Sequence, residues 1–87
     1  MITKIVEVTH IVEVKVDETK LDVAFMEEFR KYFYDFENLD AHLEYLAISE
    51  VRGYIRGFPE SLEGYGEIKQ LGISIEVQDS ETLIAEL

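Results

Sequence analysis

The sequence predicts an α+β domain in which two helices, forming a helical hairpin, pack on one face of an antiparallel sheet. Three patterns support this fold: residues 2–16 and 71–77 alternate apolar and polar side chains, as half-buried strands do, and two segments between them repeat apolar residues at helical spacing. The expected order is β-α-α-β, with an optional further strand at the end. We expect residues 1–87 to form a single domain, because 87 residues are near the lower limit for burying a useful core.

The first strand is predicted to be unusually long. Valines occupy most even positions of residues 2–16, interrupted by Lys4 and His10, whereas Ile5 and Ile11 lie on the opposite side among polar residues. A strand of this length would extend about 50 Å, well beyond a typical strand, so the segment must bend or fold back. It contains no Asn-Gly, Asp-Gly or Pro that would favour a tight turn. We therefore favour one long, bent strand over a hairpin.

Two helices are predicted between the strands. Thr19 and Asp22 have the spacing of a capping box that opens the first helix. Asn38 is the expected N-cap of the second helix, and Gly53 is its expected C′ residue. The apolar stripe of the first helix comprises Leu21, Phe25, Met26, Phe29, Tyr32, Phe33 and Phe36, and that of the second comprises Leu39, Leu43, Leu46 and Ala47.

A loop rich in glycine follows the second helix. Gly64-Tyr65-Gly66 is too short for a phosphate-binding loop, and no Lys follows it as a P-loop requires, so we predict a turn with positive φ at glycine. Residues 71–77 then form the last strand. Residues 82–87 either continue this strand or pair as a further short strand.

The sequence contains no motif typical of an enzyme or of a cofactor site. Cys is absent, and no Ser lies in a G-x-S-x-G elbow. His10 and His42, with Glu13 or Glu44, are the remaining candidates for a metal-dependent activity, but a histidine on an apolar face is more often a hydrogen-bonded core residue. The acidic run at 35–40 lacks the Gly and Glu of a calcium loop. We predict a non-enzymatic protein with no cofactor and no metal.

The charge of the chain is strongly negative. Nineteen Asp and Glu residues oppose eight Lys and Arg residues, which gives a net charge of −11. Such a field repels nucleic acid and anionic membranes and attracts basic surfaces. No apolar stretch approaches the roughly 20 residues that a membrane span needs, and no secretory signal is visible at the start. We expect a cytoplasmic protein whose partner is basic.

The second helix carries the candidate binding surface. Glu37, Asp40 and Glu44 are spaced by three and four residues, so they are expected to stack along one helix edge with no Lys or Arg between them. Ile48 is expected on the same side, and Tyr45 offers a large rigid contact beside these acids. We predict these five residues as the surface that contacts a basic partner. The alternative is an ordinary solvated face that keeps the protein soluble.

Four parts of the chain carry a resemblance to known sequences: Phe25 to Phe36, then Leu39, His42 and Leu43, then Gly57-Phe58-Pro59, and finally Gly64 to Ile73. Together they resemble a small uncharacterised family of short acidic phage and prophage proteins from proteobacteria, carried as a domain of unknown function. The resemblance covers most of the chain, implies a host bacterial cytoplasm as the setting, and transfers no functional residue. In charge and size the chain is also similar to anti-CRISPR and anti-restriction proteins that imitate nucleic acid.

Two functional hypotheses follow. In the first, the chain is an anti-CRISPR-like inhibitor that places its acidic surface in the nucleic-acid-binding site of a host defence complex. In the alternative, it is a non-enzymatic structural or accessory protein that works as a homo-oligomer, because two helices do not easily cover both faces of a sheet and Ile5 and Ile11 would stay exposed. The two are compatible, since a homodimer could present two acidic edges.

Overall fold

A computed structural model describes residues 1–85 and confirms the predicted α+β fold in the order β-α-α-β. In chain order, one long strand precedes the two helices and another follows them. A short hairpin, which the sequence did not predict, lies between the second helix and the last strand. The elements are β1 (Ile5–Lys15), α1 (Val23–Tyr32), α2 (Leu39–Val51), β2 (Ser61–Leu62), β3 (Gly66–Glu67), a single 3-10 turn (Ile68–Leu71) and β4 (Ser74–Ala85).

The strands β1 and β4 form a long two-stranded antiparallel ribbon. Pairing runs from Ile5 opposite Ala85 to Lys15 opposite Ser74. A bulge interrupts it where the consecutive β1 residues 11 and 12 face residues 79 and 77 of β4, which leaves one extra residue on β4. One long first strand, rather than a hairpin, is therefore confirmed, and the last strand continues past residue 77 as one of the two alternatives allowed. The predicted start of that strand at residue 71 is wrong, because residues 68–71 form a 3-10 turn that ends at Gly72 with φ of +66°, and β4 begins at Ser74. Residues 86–87 of the predicted C-terminal extension lie outside the described residues.

The helix α1 begins later than the capping box predicts. Asp22 is the N-cap, and its Oδ1 accepts a hydrogen bond from the backbone N–H of Phe25 at 2.9 Å. Thr19 instead donates its backbone N–H and its hydroxyl to Oδ1 of Asp17, at 2.9 and 2.6 Å. The predicted capping box is wrong because the backbone N–H groups of Lys20 and Leu21 donate to the Asp17 carbonyl oxygen and form a turn. This turn leaves Thr19 upstream of the helix, and Asp22 takes the N-cap position.

The helix α2 begins and ends where the sequence predicts. Asn38 is its N-cap, and the Asn38 Oδ1 accepts a hydrogen bond from the backbone N–H of Ala41 at 3.0 Å. Arg52 is the C-cap, and Gly53 follows it with φ of +71°. This left-handed conformation suits glycine because it has no Cβ to clash with the backbone.

The aromatic stripe predicted for the first helix is only partly buried. Phe29 is buried, but α1 ends at Tyr32, which is 70% exposed, and the C-cap Phe33 is 43% exposed. Phe33 has φ −125° and ψ −94°, so the chain leaves helical geometry and the residues after it lose the helical spacing. The prediction that Tyr32 belongs to the core is therefore wrong, although Phe36 still packs against the core from the loop.

The core lies between the helices, the β2–β3 hairpin and the base of the ribbon. The helix α2 lies against both long strands, but only Val14, Val16 and Ile75 of the ribbon base and its flank pack against the buried cluster. Further along the ribbon, Val8 and Ile84 remain 56% and 61% exposed. The buried residues are Leu21, Phe29, Leu46, Leu62, Tyr65, Ile68 and Ile73.

Candidate functional site

The acidic residues predicted for the second helix gather at the N-terminal end of α2. Asp35, Glu37, Asp40 and Glu44 are all exposed, and they line one shallow depression. Because Asn38 is the N-cap, Glu37 precedes the helix, and only Asp40 and Glu44 are separated by a full helical turn. The structure therefore brings the three predicted carboxylates to one surface and adds Asp35 to them.

Arg30 of α1 anchors the loop that carries this acidic depression. Its guanidinium donates from Nε and Nη2 to the carbonyl oxygen of Phe36, at 3.1 and 2.9 Å, and from Nη2 to that of Glu37 at 3.3 Å. Its Nε also lies 3.4 Å from Oδ1 of Asp35. Arg30 therefore offsets part of the negative charge at Asp35. Asp40 has a structural effect of its own, since a carboxylate in the first turn of a helix interacts favourably with the helix dipole.

Tyr45 lies on another side of α2, at the edge of the core. Its ring is half-buried, with centroids 5.4 Å from that of Tyr34 and 5.3 Å from that of Phe36. Burial and a hydrogen bond with Tyr34 raise the pKa of its hydroxyl. Tyr45 borders a second depression with Tyr54 and Arg56, distinct from the one that the acids line.

Ile48 follows Glu44 by one helical turn and borders the groove between α2 and β1. It is 47% exposed, and the neighbouring Val51 is 40% exposed. His10 and Val12 form the β1 side of this groove. The predicted aliphatic contact therefore lies beside the ribbon, towards the C-terminal end of α2.

The two histidines occupy different environments. His42 is fully buried, and its Nδ1 lies 2.7 Å from the hydroxyl oxygen of Tyr65, whereas its Nε2 has no hydrogen-bond partner among the described residues. Burial, assisted by the positive charge of Arg30, lowers the pKa of His42. The expectation of a hydrogen-bonded core histidine is confirmed for His42. It is wrong for His10, which is exposed and lies across the ribbon from Ser80, with 2.8 Å between Nδ1 and Oγ.

The two faces of the ribbon differ in charge. The face that carries the helices, which we call the helix-side face, extends along β1 through Val6, Val8, His10, Val12 and Val14. The alternation in the sequence predicted that this side is apolar. It did not predict that the half of the face far from the core, with Val6 and Val8, would stay exposed to solvent. On the helix-side face the outer pairs are Val6–Ile84, Val8–Thr82 and His10–Ser80, and on the opposite face they are Glu7–Leu83, Thr9–Glu81 and Ile11–Asp79.

Comparisons of this chain with protein-family models, curated proteins and solved structures find no match. In residues 1–85, no helix is both long enough and apolar enough to cross a membrane. Within the same residues, no three His, Asp or Glu side chains are grouped as a metal site requires. The two surface features of the described residues are an acidic depression at the N-terminal end of α2 and a mainly apolar ribbon face whose β1–β4 pairs include no Asp, Glu, Lys or Arg.

Proposed function

We propose that this chain is a non-enzymatic binding protein whose acidic surface engages a basic, nucleic-acid-binding protein. The observation that carries the proposal is the gathering of Asp35, Glu37, Asp40 and Glu44 around one exposed depression. A surface of this kind attracts a site built for phosphates through long-range electrostatics, which set the association rate and the specificity more than the affinity. The net charge of −11 adds to the same attraction.

The activity proposed for this surface is inhibition of a host defence complex, in the manner of anti-CRISPR proteins that imitate nucleic acid. The size and charge of the chain and its resemblance to acidic phage proteins support this activity. The setting would be the cytoplasm of a bacterial host, with no cofactor and no direct contact with nucleic acid or membrane. Tyr45 and Ile48 remain predicted contacts, but both lie outside the acidic depression: Tyr45 borders the second depression, and Ile48 borders the groove beside the ribbon.

Replacement of the three carboxylates on this surface tests the proposal. The tagged parent and the variant E37Q/D40Q/E44Q are each used to capture proteins from a bacterial lysate at low salt. We expect the parent to capture a nucleic-acid-binding protein that elutes as the salt concentration rises, since salt screens exposed charges. Added duplex DNA should release the same protein, and the triple variant should capture much less of it.

A control variant with the same change in net charge separates this surface from a general effect of charge. Glu18, Glu27 and Glu28 are exposed and lie away from the acidic depression, so E18Q/E27Q/E28Q should still capture the partner. Unfolding curves must accompany the assay, because loss of Asp40 also removes a favourable interaction with the helix dipole, typically 0.3–1 kcal/mol. Equal capture by the parent and by a folded E37Q/D40Q/E44Q variant would refute the proposal.

A second candidate function is that of a homo-oligomeric accessory protein, and the exposed ribbon favours it. Ile5 and Ile11 are 45% and 60% exposed on one face, and Val8 and Ile84 are exposed on the other. A two-stranded ribbon is marginal in water unless other elements cover it. Light scattering at micromolar concentration should detect a dimer, and I5K/I11K should abolish it. A parent protein that scatters as a monomer would exclude this function.

A further inference from the structure

We propose that two copies of this chain join through the outer edges of their β1 strands, antiparallel to each other about a twofold axis at Ile11. The product is a four-stranded sheet in which the two β1 strands are central and the two β4 strands form the edges. This inference rests on the self-association proposed above, and it specifies the edge and the register through which association occurs.

The ribbon offers two edges for pairing. Within residues 1–85, the long strands pair only with each other, so each has one edge that no third strand occupies. The molecule extends 52 Å along its longest axis, compared with 26 and 20 Å along the others, as expected for a ribbon that projects from a small body. Open edges of this length pair readily with another strand unless charge or shape prevents it.

Charge favours the β1 edge over the β4 edge. Every charged residue of β4 is acidic, namely Glu76, Asp79 and Glu81, so pairing of β4 with a second β4 would bring like charges together. The strand β1 instead carries Lys15 as well as acids. In a chain with a net charge of −11, self-association is favoured at an edge where a cation can meet an acid.

The same charges select the register. With Ile11 on the twofold axis, Glu7 faces Lys15 of the partner subunit, and the symmetry creates this pair twice. A shift of the axis to His10 would instead place Glu7 opposite Glu13 of the partner subunit, which is repulsive. The Nζ of Lys15 lies 3.0 Å from Oε1 of Glu13 on its own strand. Because the Lys15 side chain is still 73% exposed, a second carboxylate can also reach it.

The helix-side face provides a second reason for this arrangement. In the Ile11 register, Val8 of each copy lies beside Val14 of the partner subunit, next to the groove that Ile48 and Val51 border. No β4 residue lines that groove, so it lies on the β1 side of the ribbon, where the second copy would be. The exposed valine of each ribbon therefore comes close to the flank of the other copy's α2. Among the paired residues from Ile5–Ala85 to Lys15–Ser74, this face carries no carboxylate.

Cysteine cross-linking tests the register directly, because the natural chain contains no Cys. Directly opposed residues of antiparallel strands have Cα atoms about 4.5–5.5 Å apart, which is within the range of a disulfide. Ile11→Cys should therefore give a covalent dimer under mild oxidation. Thr9→Cys is the matched control, since its two copies would be displaced by about 13 Å along the strands and should not cross-link.

Charge exchange tests the same register without a covalent bond. E7K reduces the net negative charge by two, so a general relief of repulsion would strengthen the dimer. The Ile11 register predicts the opposite, a dimer weakened about tenfold in Kd because two cross-strand pairs become repulsive at once. K15E should also weaken it, and E7K/K15E should restore it. E81K, with the same charge change on β4, should not weaken the dimer.

The outcomes separate this inference from the proposals on which it rests. A parent chain that stays monomeric in sedimentation at high concentration would overturn both the self-association and the β1 register. A dimer that forms without the Ile11→Cys cross-link, or that cross-links equally through Thr9→Cys, would overturn the register alone. Ile11 and Thr9 are both exposed, so neither substitution disturbs the core. The proposed binding role of the acidic depression is tested with other variants, so its outcome is independent of the dimer experiments.

Discussion

Replacement of Tyr65 by Phe tests the polar contact at the centre of the core. The hydroxyl of Tyr65 is the hydrogen-bond partner of His42, with 2.7 Å between the oxygen and Nδ1. Tyr65 is only 6% exposed, and His42 is fully buried. Burial raises the pKa of Tyr65, so the hydroxyl stays protonated across the neutral range. Tyr65→Phe removes this oxygen and keeps the aromatic ring.

The expected loss follows from the burial of the imidazole. His42 already has no partner at Nε2, so the variant would leave both ring nitrogens without a hydrogen bond among the described residues. An unsatisfied buried polar group costs about 1–3 kcal/mol. The unfolding free energy of a natural domain is only about 5–15 kcal/mol, so a loss of this size is easily measured.

Urea unfolding followed by circular dichroism measures the effect. Tyr32→Phe is the matched control because Tyr32 is 70% exposed, and its substitution should change the unfolding free energy by less than about 0.5 kcal/mol. The protein concentration is held constant, since self-association would stabilise the folded state by mass action. If Tyr65→Phe is as stable as Tyr32→Phe, the buried hydrogen bond does not stabilise this core and the reasoning is refuted.

Two further predictions concern the same core and the turns around it. Burial and Arg30 lower the pKa of His42 below 6.5, so the unfolded chain takes up this proton first as the pH falls. The unfolding free energy should therefore decrease below about pH 6.5, by up to 1.4 kcal/mol per pH unit, and urea titrations of His42→Leu should lack this contribution. Gly64→Ala should lower Tm more than Gly53→Ala. Both positions have positive φ, but a Cβ at Gly64 would lie 2.5 Å from an aromatic ring of α1, whereas one at Gly53 meets nothing within 4 Å. Equal losses of Tm would contradict this steric argument.

Local sequence patterns predicted the features that depend on neighbouring residues. Asn38 and Gly53 bound α2 as expected because capping depends on a side chain or a φ angle at one position. The capping role of Thr19 was predicted wrongly because a turn at Asp17 places Thr19 upstream of the helix, where Asp22 is the N-cap. The predicted burial of Tyr32 was wrong because the spacing of apolar residues does not show where a helix ends, and α1 ends at Tyr32.

Local sequence patterns did not predict contacts between segments that are far apart in the chain. The sequence predicted only a turn around Tyr65, and only the fold brings its hydroxyl to His42, 23 positions away in the chain. The acidic depression was easier to predict, because Asp40 and Glu44 are one helical turn apart. Tyr45 directly follows Glu44, and consecutive helix positions are rotated by about 100°. Adjacency in sequence therefore separates the two side chains on the helix surface.

The distribution of charge along the ribbon also limits how far association can proceed. In the proposed dimer the β1 edges are consumed and only the β4 edges remain open. Those edges carry Glu76, Asp79 and Glu81 with no cation in β4, so a further copy would meet like charges, which native proteins use to prevent edge pairing. A twofold interface also uses the same patch on both copies and closes on itself. Assembly should therefore stop at two copies, and simultaneous replacement of all three β4 acids by neutral residues is the change that would allow it to continue.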